Sequence, residues 1–127
     1  MPLGKLQGDL QAQVMAAMWR LGAGNVEQVR SELPPRYRGA YTTVQTVLNR
    51  LVDRGLLARR KLENVVEYRP KLTEAEYLTH SIDRTLAGAS SDARQAALAA
   101  LIGRLDAGEL SELQRLARDI ERRRGSR

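Results

Sequence analysis

The stretch from Tyr41 to Gly55 reads YTTVQTVLNRLVDRG, and its polar residues are types that form hydrogen bonds with the edges of nucleic-acid bases. Its apolar residues Val44, Val47 and Leu48 begin the i, i+3, i+4, i+7 spacing of a buried helix face. The other sides of this predicted helix carry Thr42, Thr43, Gln45, Thr46, Asn49 and Arg50. Short polar side chains let a helix approach another molecule closely, and this mixture of donors, acceptors and methyl groups suits the major groove of duplex DNA.

Helix capping is the alternative role for the two threonines at the start of this stretch. Thr42 with Gln45 fits a capping box, and Thr43 would cap a helix that begins one residue later. Capping does not account for the polar residues that continue along the same side toward Asn49. The pattern therefore favours a contact surface.

The positive charge of the chain is concentrated around this stretch. Residues 1–72 hold twelve Lys and Arg against six Asp and Glu, whereas residues 73–127 hold nine of each. Residues 36–71 alone hold nine basic against three acidic side chains, a surplus equal to the net charge of +6. Such a patch suits a polyanion, and a solvated basic surface is the alternative.

Two further helices are predicted before this one. The first opens at Gly8 and closes at Leu21, with apolar residues at helical spacing between them. The second begins after Asn25, which forms an N-terminal capping pair with Gln28. The quoted stretch is then the third helix, and Gly55 provides its C-terminal stop.

A short β-hairpin is predicted after the third helix. Residues 56–62 and 65–69 form two extended runs around Glu63-Asn64, and Pro70 ends the second. Three helices followed by a hairpin is the order of a winged helix, in which the second and third helices form a helix-turn-helix. We also assign Arg59, Arg60 and Lys61 of the hairpin to DNA contact, although strand alternation sends some of them to the other face.

The remaining residues predict three more helices. Thr73 with Glu76 forms a capping box, Gly88 breaks the helix that follows, and Asp106 with Glu109 caps the last helix. These helices lack a core of their own, so we expect them to pack against a second copy of the chain. The residues assigned to this dimerisation are Leu78, Ile82, Leu98, Leu101, Ile102, Leu110, Leu113, Ala117 and Ile120.

We therefore predict a mainly α-helical protein with a winged-helix domain over residues 1–72 and a helical dimerisation domain over residues 73–127. With no Cys and one His, the chain has neither a metal-binding cluster nor a nucleophile and base pair, so we expect no cofactor and no enzymatic activity. It has no apolar run of about 18 residues and no signal-peptide pattern, so we expect a cytoplasmic protein without membrane insertion.

A family resemblance adds to this interpretation. The run AYTTVQTVLNRLVDRGLLARR, the later YRP and the VMAAMW of the first helix resemble the BlaI/MecI/CopY group of penicillinase-type repressors. The resemblance implies a homodimeric winged-helix repressor that binds a dyad-symmetric operator of the TACA…TGTA kind. The base- and phosphate-contacting positions of that group fall on Thr42, Thr43, Gln45, Thr46 and Arg50.

The sequence departs from that group at three points. Glu63-Asn64 stands in the wing turn, where the group usually has Gly followed by Arg, which weakens the case for a phosphate contact at the wing tip. The absence of Cys excludes the cysteine motif of the metal-responsive members. The absence of Phe removes the Asn-Phe bond that a membrane sensor metalloprotease cuts in the antibiotic-responsive members, so release by such a protease would require another bond.

Two other functions fit a winged helix. An RNA-binding module is expected to show stacking aromatic residues, whereas this chain has four Tyr, one Trp and no Phe. A module for protein contacts is expected to carry an apolar surface on the third helix. The sequence favours a DNA-binding repressor over both.

Overall fold

The structure is a computed structural model that describes residues 8–125, which are mainly helical with one antiparallel hairpin. The helices are α1 (Gly8–Leu21), α2 (Val26–Glu32), α3 (Tyr41–Asp53), α4 (Glu74–Ala87), α5 (Ser91–Gly103) and α6 (Ala107–Gly125). The strands are β1 (Leu57–Leu62) and β2 (Val65–Pro70), and a short 3-10 helix spans Pro35–Tyr37. The predicted order of three helices, a hairpin and three further helices is confirmed.

Capping boxes begin three of these helices, as predicted. At α2 the Gln28 backbone N–H donates to Asn25 Oδ1 at 2.8 Å, and the Asn25 N–H donates to Gln28 Oε1 at 2.8 Å. Each bond satisfies an N–H group that the first helical turn leaves without a partner. The same reciprocal bonds join Thr73 with Glu76 and Asp106 with Glu109.

The hydrophobic core lies where α1, α2 and α3 meet the hairpin. Met15 and Met18 are fully buried from α1, as predicted, while Leu48 and Leu51 are fully buried from α3. Tyr68 of β2 is 2% exposed. The other buried apolar residues are Val14, Ala17, Val26, Val29, Leu33, Val44, Val47, Leu56 and Leu57.

Gly55 ends α3 and directs the chain into the hairpin. Its φ of 81° lies in the left-handed region, which glycine adopts without steric cost. The Leu56 N–H then donates to Leu51 O at 3.0 Å, the bond that closes a Schellman motif. The chain consequently leaves the helix with Leu56 and Leu57 buried.

The hairpin is joined to the segment between α1 and α2 by a contact that the sequence did not predict. In the register of β1 and β2, Leu57 lies opposite Pro70 and Arg59 lies opposite Tyr68. The Gly24 N–H donates to Tyr68 O at 2.9 Å, and the Tyr68 N–H donates to Gly24 O at 2.8 Å. β2 is therefore paired with β1 on one edge and bonded to Gly24 on the other.

The start of α4 is attached to α1. Trp19 Nε1 donates to Leu72 O at 3.0 Å, and the ring centroids of Trp19 and Tyr77 lie 5.7 Å apart. The first compact unit extends to Arg84 and the second begins at Thr85, whereas the sequence predicted a boundary after residue 72. The assignment of separate functions to the two predicted domains stays a prediction.

The second unit contains α5 and α6. Ser90 Oγ accepts a hydrogen bond from the Ala93 N–H at 3.2 Å and caps α5. No residue of α5 or α6 that the structure describes is buried. Across residues 8–125, every helix is too short or too polar to cross a membrane.

Candidate nucleic-acid interface

The N-terminus of α3 leaves its threonine side chains available for contact. Ala40 is the N-cap residue and no side chain caps the helix, so the capping interpretation of Thr42 and Thr43 is wrong. Thr46 Oγ1 donates to Thr42 O at 2.9 Å, a bond within the helix that places its hydrogen inward. The Thr46 methyl group and the oxygen lone pairs remain for an external partner.

The outer side of α3 is polar and exposed over two turns, as predicted. Its exposed polar residues are Thr42, Thr43, Gln45, Thr46 and Arg50. The buried residues of the same helix, Val44, Val47, Leu48 and Leu51, face the core. The helix therefore has one side that holds the fold and one side that is available for hydrogen bonding, while its contact with DNA stays a prediction.

Asn49 differs from the other polar residues of α3 because the hairpin covers it. Its helical position points away from the core, yet the residue is only partly exposed. Asn49 Oδ1 accepts hydrogen bonds from Arg59 Nη1 at 2.7 Å and from the Tyr68 hydroxyl at 2.8 Å. These bonds connect the C-terminal half of α3 to both strands of the hairpin.

Burial favours the protonated form of the Tyr68 hydroxyl in this cluster. Removal from water raises the pKa of the Tyr68 hydroxyl, and the positive charge of Arg59 acts in the opposite direction. The ordinary pKa of 10.0 already keeps this hydroxyl protonated at neutral pH, and the upward shift acts in the same direction, so the hydroxyl is a donor toward Asn49.

Strand alternation divides the basic residues of the hairpin between its two faces. Arg59 and Lys61 lie two and four positions after the buried Leu57, so their side chains are on the same face of the hairpin. Arg59 also lies opposite the buried Tyr68, which is on that face as well. Arg60 lies on the opposite face. The three predicted contact residues of the hairpin are therefore not all brought together.

On that opposite face, Arg60 belongs to an ion-pair group around Glu67. Arg60 Nε lies 3.4 Å from Glu67 Oε1, and Arg69 Nη2 lies 3.1 Å from the same oxygen. Glu67 therefore offsets part of the charge of both arginines. The role of Arg60 in DNA contact stays a prediction.

Two arginines of the loop between α2 and α3 are occupied by intramolecular contacts. Arg38 Nη2 donates to Ser31 O at 3.0 Å and to Leu33 O at 2.8 Å, which satisfies carbonyl groups at the end of α2. The Arg36 guanidinium lies 5.0 Å from the centroid of the Tyr37 ring. Part of the basic surplus therefore stabilises the turn of the helix-turn-helix.

Arg50 and Lys61 are the site cations with the most available charge. Both are exposed, and within residues 8–125 neither forms an ion pair or a side-chain hydrogen bond. A guanidinium and an ammonium in water attract phosphate groups at a range set by salt. Arg50 therefore adds positive charge to the exposed side of α3, and Lys61 adds it to the hairpin.

A groove of 370 Å³ lies beside this surface, between the start of α2, the start of α3 and the wing turn. Its lining includes Tyr41, Gln45 and Val65. Across the described part of the chain, His, Asp and Glu residues form no cluster that could hold a metal ion.

The structure adds Tyr68 to the residues that organise this surface. The sequence pattern placed it on a strand but gave no sign of its bond to Asn49, which lies 19 positions away. The sequence contains one signal for this role of Tyr68. A tyrosine stands at an apolar strand position, opposite a basic residue of the other strand.

The fold and this surface define a winged helix-turn-helix of the class that binds duplex DNA. The three helices, the wing and the polar exposed side of α3 are its elements. The penicillinase repressor family matches this chain over residues 7–119, and the chain belongs to that family of DNA-binding transcriptional repressors, which are not enzymes.

The chain is also similar to a transcriptional regulator and to a penicillinase repressor. The chain is 35% identical over 122 residues to the transcriptional regulator BlaI of Mycobacterium tuberculosis, covering 94% of this chain and 88% of that protein. It is 31% identical over 70 residues to the penicillinase repressor of Bacillus licheniformis, covering 55% of each.

Solved structures of repressors from the group are also similar. The DNA-binding domain of the repressor BlaI is 30% identical and has a TM-score of 0.49, with 59% of this chain and 94% of that chain covered. The monomeric form of Bacillus licheniformis BlaI, solved in complex with the blaP half-operator, is 31% identical and has a TM-score of 0.47. That alignment covers 57% of this chain and 92% of the other.

Proposed function

We propose that this protein is a homodimeric repressor that binds a dyad-symmetric DNA operator through α3. The observation that carries the proposal is the exposed polar side of α3, with Gln45 and Thr46 beside Arg50, whose guanidinium forms no ion pair within residues 8–125. Thr42 and Thr43 extend this surface toward the helix N-terminus. Direct contacts to base edges give sequence preference, whereas the arginine gives affinity that depends on salt.

Dimerisation is supported by the apolar residues of the last helices. Leu101, Ile102 and Leu113 are 49%, 50% and 47% exposed. Helices of 13 and 19 residues that bury no side chain gain little from tertiary packing and are marginal in water. A second copy of the chain supplies the missing apolar surface, and a twofold axis presents the two α3 helices to half-sites about one duplex turn apart.

Control of repression is proposed to act through the last helices. A change that separates the two copies weakens operator binding, because each α3 must then bind its half-site alone. A membrane sensor metalloprotease that cuts this region is one such signal, and the exposed residues 88–90 between α4 and α5 provide an accessible segment. We place the protein in the cytoplasm, with the DNA that it binds.

Recovery of genomic DNA on the full-length protein tests the proposed function. Sheared DNA from the source organism is incubated with the protein at moderate salt, and the retained fragments are sequenced. We expect a small number of enriched sites, each with two inverted half-sites, and footprints over both halves. Uniform recovery of fragments would show that the protein has no operator.

A competition experiment separates this function from RNA binding. An enriched duplex is bound first, and then unlabelled single-stranded RNA or random duplex DNA is added at the same nucleotide concentration. The random duplex is expected to compete better, because α3 and the basic residues are suited to duplex geometry. Stronger competition by RNA would contradict the proposal.

A further inference from the structure

One amide oxygen connects the helix that meets DNA with the wing. Asn49 Oδ1 accepts from Arg59 Nη1 at 2.7 Å and from the Tyr68 hydroxyl at 2.8 Å. Asn49 lies three and four positions after Thr46 and Gln45, which is about one helical turn further along the same side. The Arg59 guanidinium therefore lies next to the surface that we assign to base contacts.

The Tyr68 side of this cluster is rigid. Its ring is buried in the core, and its backbone is bonded to Gly24 at 2.8 and 2.9 Å. Its hydroxyl consequently occupies a fixed point beneath Asn49 and restrains the orientation of the Asn49 amide. A side chain held in this way orients the next group that bonds to it.

The partner of Arg59 preserves its charge. Arg60 and Arg69 both pair with the carboxylate of Glu67, whereas Arg59 bonds to the neutral oxygen of an amide. An amide restricts the long arginine side chain without neutralising it. Fixing a flexible side chain before binding removes part of the entropy cost that it would otherwise impose on the complex.

We propose that Asn49 is a positioning residue, whose amide oxygen holds the Arg59 guanidinium beside the outer side of α3, where it contacts a DNA phosphate. This proposal rests on the proposed DNA-binding function and gives Asn49 a role other than reading a base. Tyr68 is the group that fixes Asn49 in place.

A double-mutant cycle on the full-length protein tests the coupling between the two residues. The variants are Asn49→Ala, Arg59→Gln and the pair together, and Arg69→Gln is the matched control because it removes an exposed arginine of the hairpin that pairs with Glu67. The probes are an enriched genomic duplex and a random duplex of equal length. Dissociation constants are measured over a range of salt concentrations.

We expect Arg59→Gln to weaken binding to both duplexes and to reduce the slope of log affinity against log salt by about one, since one phosphate contact is lost. Asn49→Ala should weaken both by about 3- to 10-fold, the size expected from one side chain that must be immobilised on binding. When Arg59 is already replaced by Gln, Asn49→Ala should weaken binding almost no further, because Asn49 acts through Arg59. Arg69→Gln should leave the slope as in the unmodified protein.

The substitution Tyr68→Phe serves as the control for effects on folding stability. Asn49→Ala leaves the buried Tyr68 hydroxyl without its acceptor, so the melting temperature of this variant should fall. Asn49→Ala combined with Tyr68→Phe removes both polar partners, so the melting temperature should recover part of that loss. The weakened binding should persist in that double variant. Recovery of affinity together with stability would show a role in folding alone and would overturn the proposal.

The remaining outcomes distinguish this proposal from the proposed function. Asn49→Ala could weaken binding to the enriched duplex more than binding to random DNA, by the same factor whether residue 59 is Arg or Gln. That result would make Asn49 a base-reading residue and overturn its positioning role. If Arg50→Gln lowers the salt slope while Asn49→Ala and Arg59→Gln change nothing, DNA binding stands and the positioning role fails. If the unmodified protein binds neither duplex, the proposed function itself fails.

Discussion

Gln45 and Thr46 differ in how much of their hydrogen-bonding capacity remains available. The Thr46 hydroxyl already donates to Thr42 O within α3, so it offers a partner only lone pairs and a methyl group. Within residues 8–125 the Gln45 amide makes no hydrogen bond, and the residue is exposed. Gln45 therefore retains both a donor and an acceptor for a base edge. Thr46 can contact a base only by accepting a hydrogen bond at its hydroxyl oxygen or by packing its methyl group.

Replacing Gln45 by Ala is expected to weaken binding to an enriched duplex by about 1–3 kcal/mol, the range for one bidentate base contact. Binding to random DNA should change much less, because phosphate contacts are retained. Fluorescence anisotropy on both duplexes measures the difference. Equal losses on the two would contradict a base contact by Gln45.

Replacing Arg50 by Gln is expected to weaken binding to every duplex by a similar factor. The guanidinium is exposed and, in the described part of the chain, unpaired, so it is available to displace counterions from a phosphate. The slope of log affinity against log salt should fall by about 0.9. Arg69→Gln is the control, and a slope that falls equally for both variants would show a general effect of net charge.

At the scale of elements, the wing turn carries a local strain. Glu63 has a φ of 53°, in the left-handed region that costs a residue with a Cβ atom about 1–2 kcal/mol. The neighbouring strands hold this conformation through the pairing of Leu62 with Val65. The turn is thus formed by a residue poorly suited to it.

We expect Glu63→Gly to raise the free energy of unfolding by about 1 kcal/mol, because glycine adopts this φ without steric cost. Asn64→Gly is the matched control, since Asn64 does not have a positive φ and glycine only adds freedom to the unfolded chain there. Chemical denaturation of both variants gives the comparison. A loss of stability in Glu63→Gly would show that the carboxylate side chain contributes more than the strain costs.

At the scale of the whole molecule, the last two helices carry large apolar side chains that are exposed. Leu113, Leu116 and Ile120 of α6 are 47%, 37% and 45% exposed, and Leu98 of α5 is 36% exposed. Exposure of this kind along adjacent helices is typical of an association surface. The charges of residues 73–127 balance, so electrostatic repulsion between two copies is small.

Replacing Leu113 by Glu is expected to convert a dimer into monomers, because a carboxylate at a shared apolar surface loses its hydration. Ser111→Glu on the exposed side of α6 is the matched control and should stay dimeric. Light scattering gives the mass, and the affinity for a two-half-site duplex should fall only in the first variant. A monomeric unmodified protein would contradict dimerisation.

A shortened chain that ends at Arg84 provides a second test of the same prediction. It retains the contact of Tyr77 with Trp19 and omits α5 and α6. It should fold, remain monomeric and bind one half-site weakly. A shortened protein that stays dimeric would place the association surface outside the last two helices.

The sequence by itself determined the helices, their ends and the hairpin, because these depend on residues a few positions apart. The pairs Asn25 with Gln28 and Asp106 with Glu109 are three residues apart, and each cap formed as predicted. The apolar spacing of α3 likewise fixed which side is buried. The family was indicated separately, by the resemblance of the run AYTTVQTVLNRLVDRGLLARR to penicillinase-type repressors.

Only the tertiary structure decided which polar residues remain available, because that depends on elements far apart in the chain. The helical position of Asn49 predicted an outward side chain, but Tyr68 and Arg59 reach it when the hairpin folds against α3. Arg60 and Arg59 are neighbours in the sequence, yet strand pairing sends one to Glu67 and the other to Asn49. Local patterns do not encode such encounters, since burial and pairing are set by packing between elements that meet only in the folded chain.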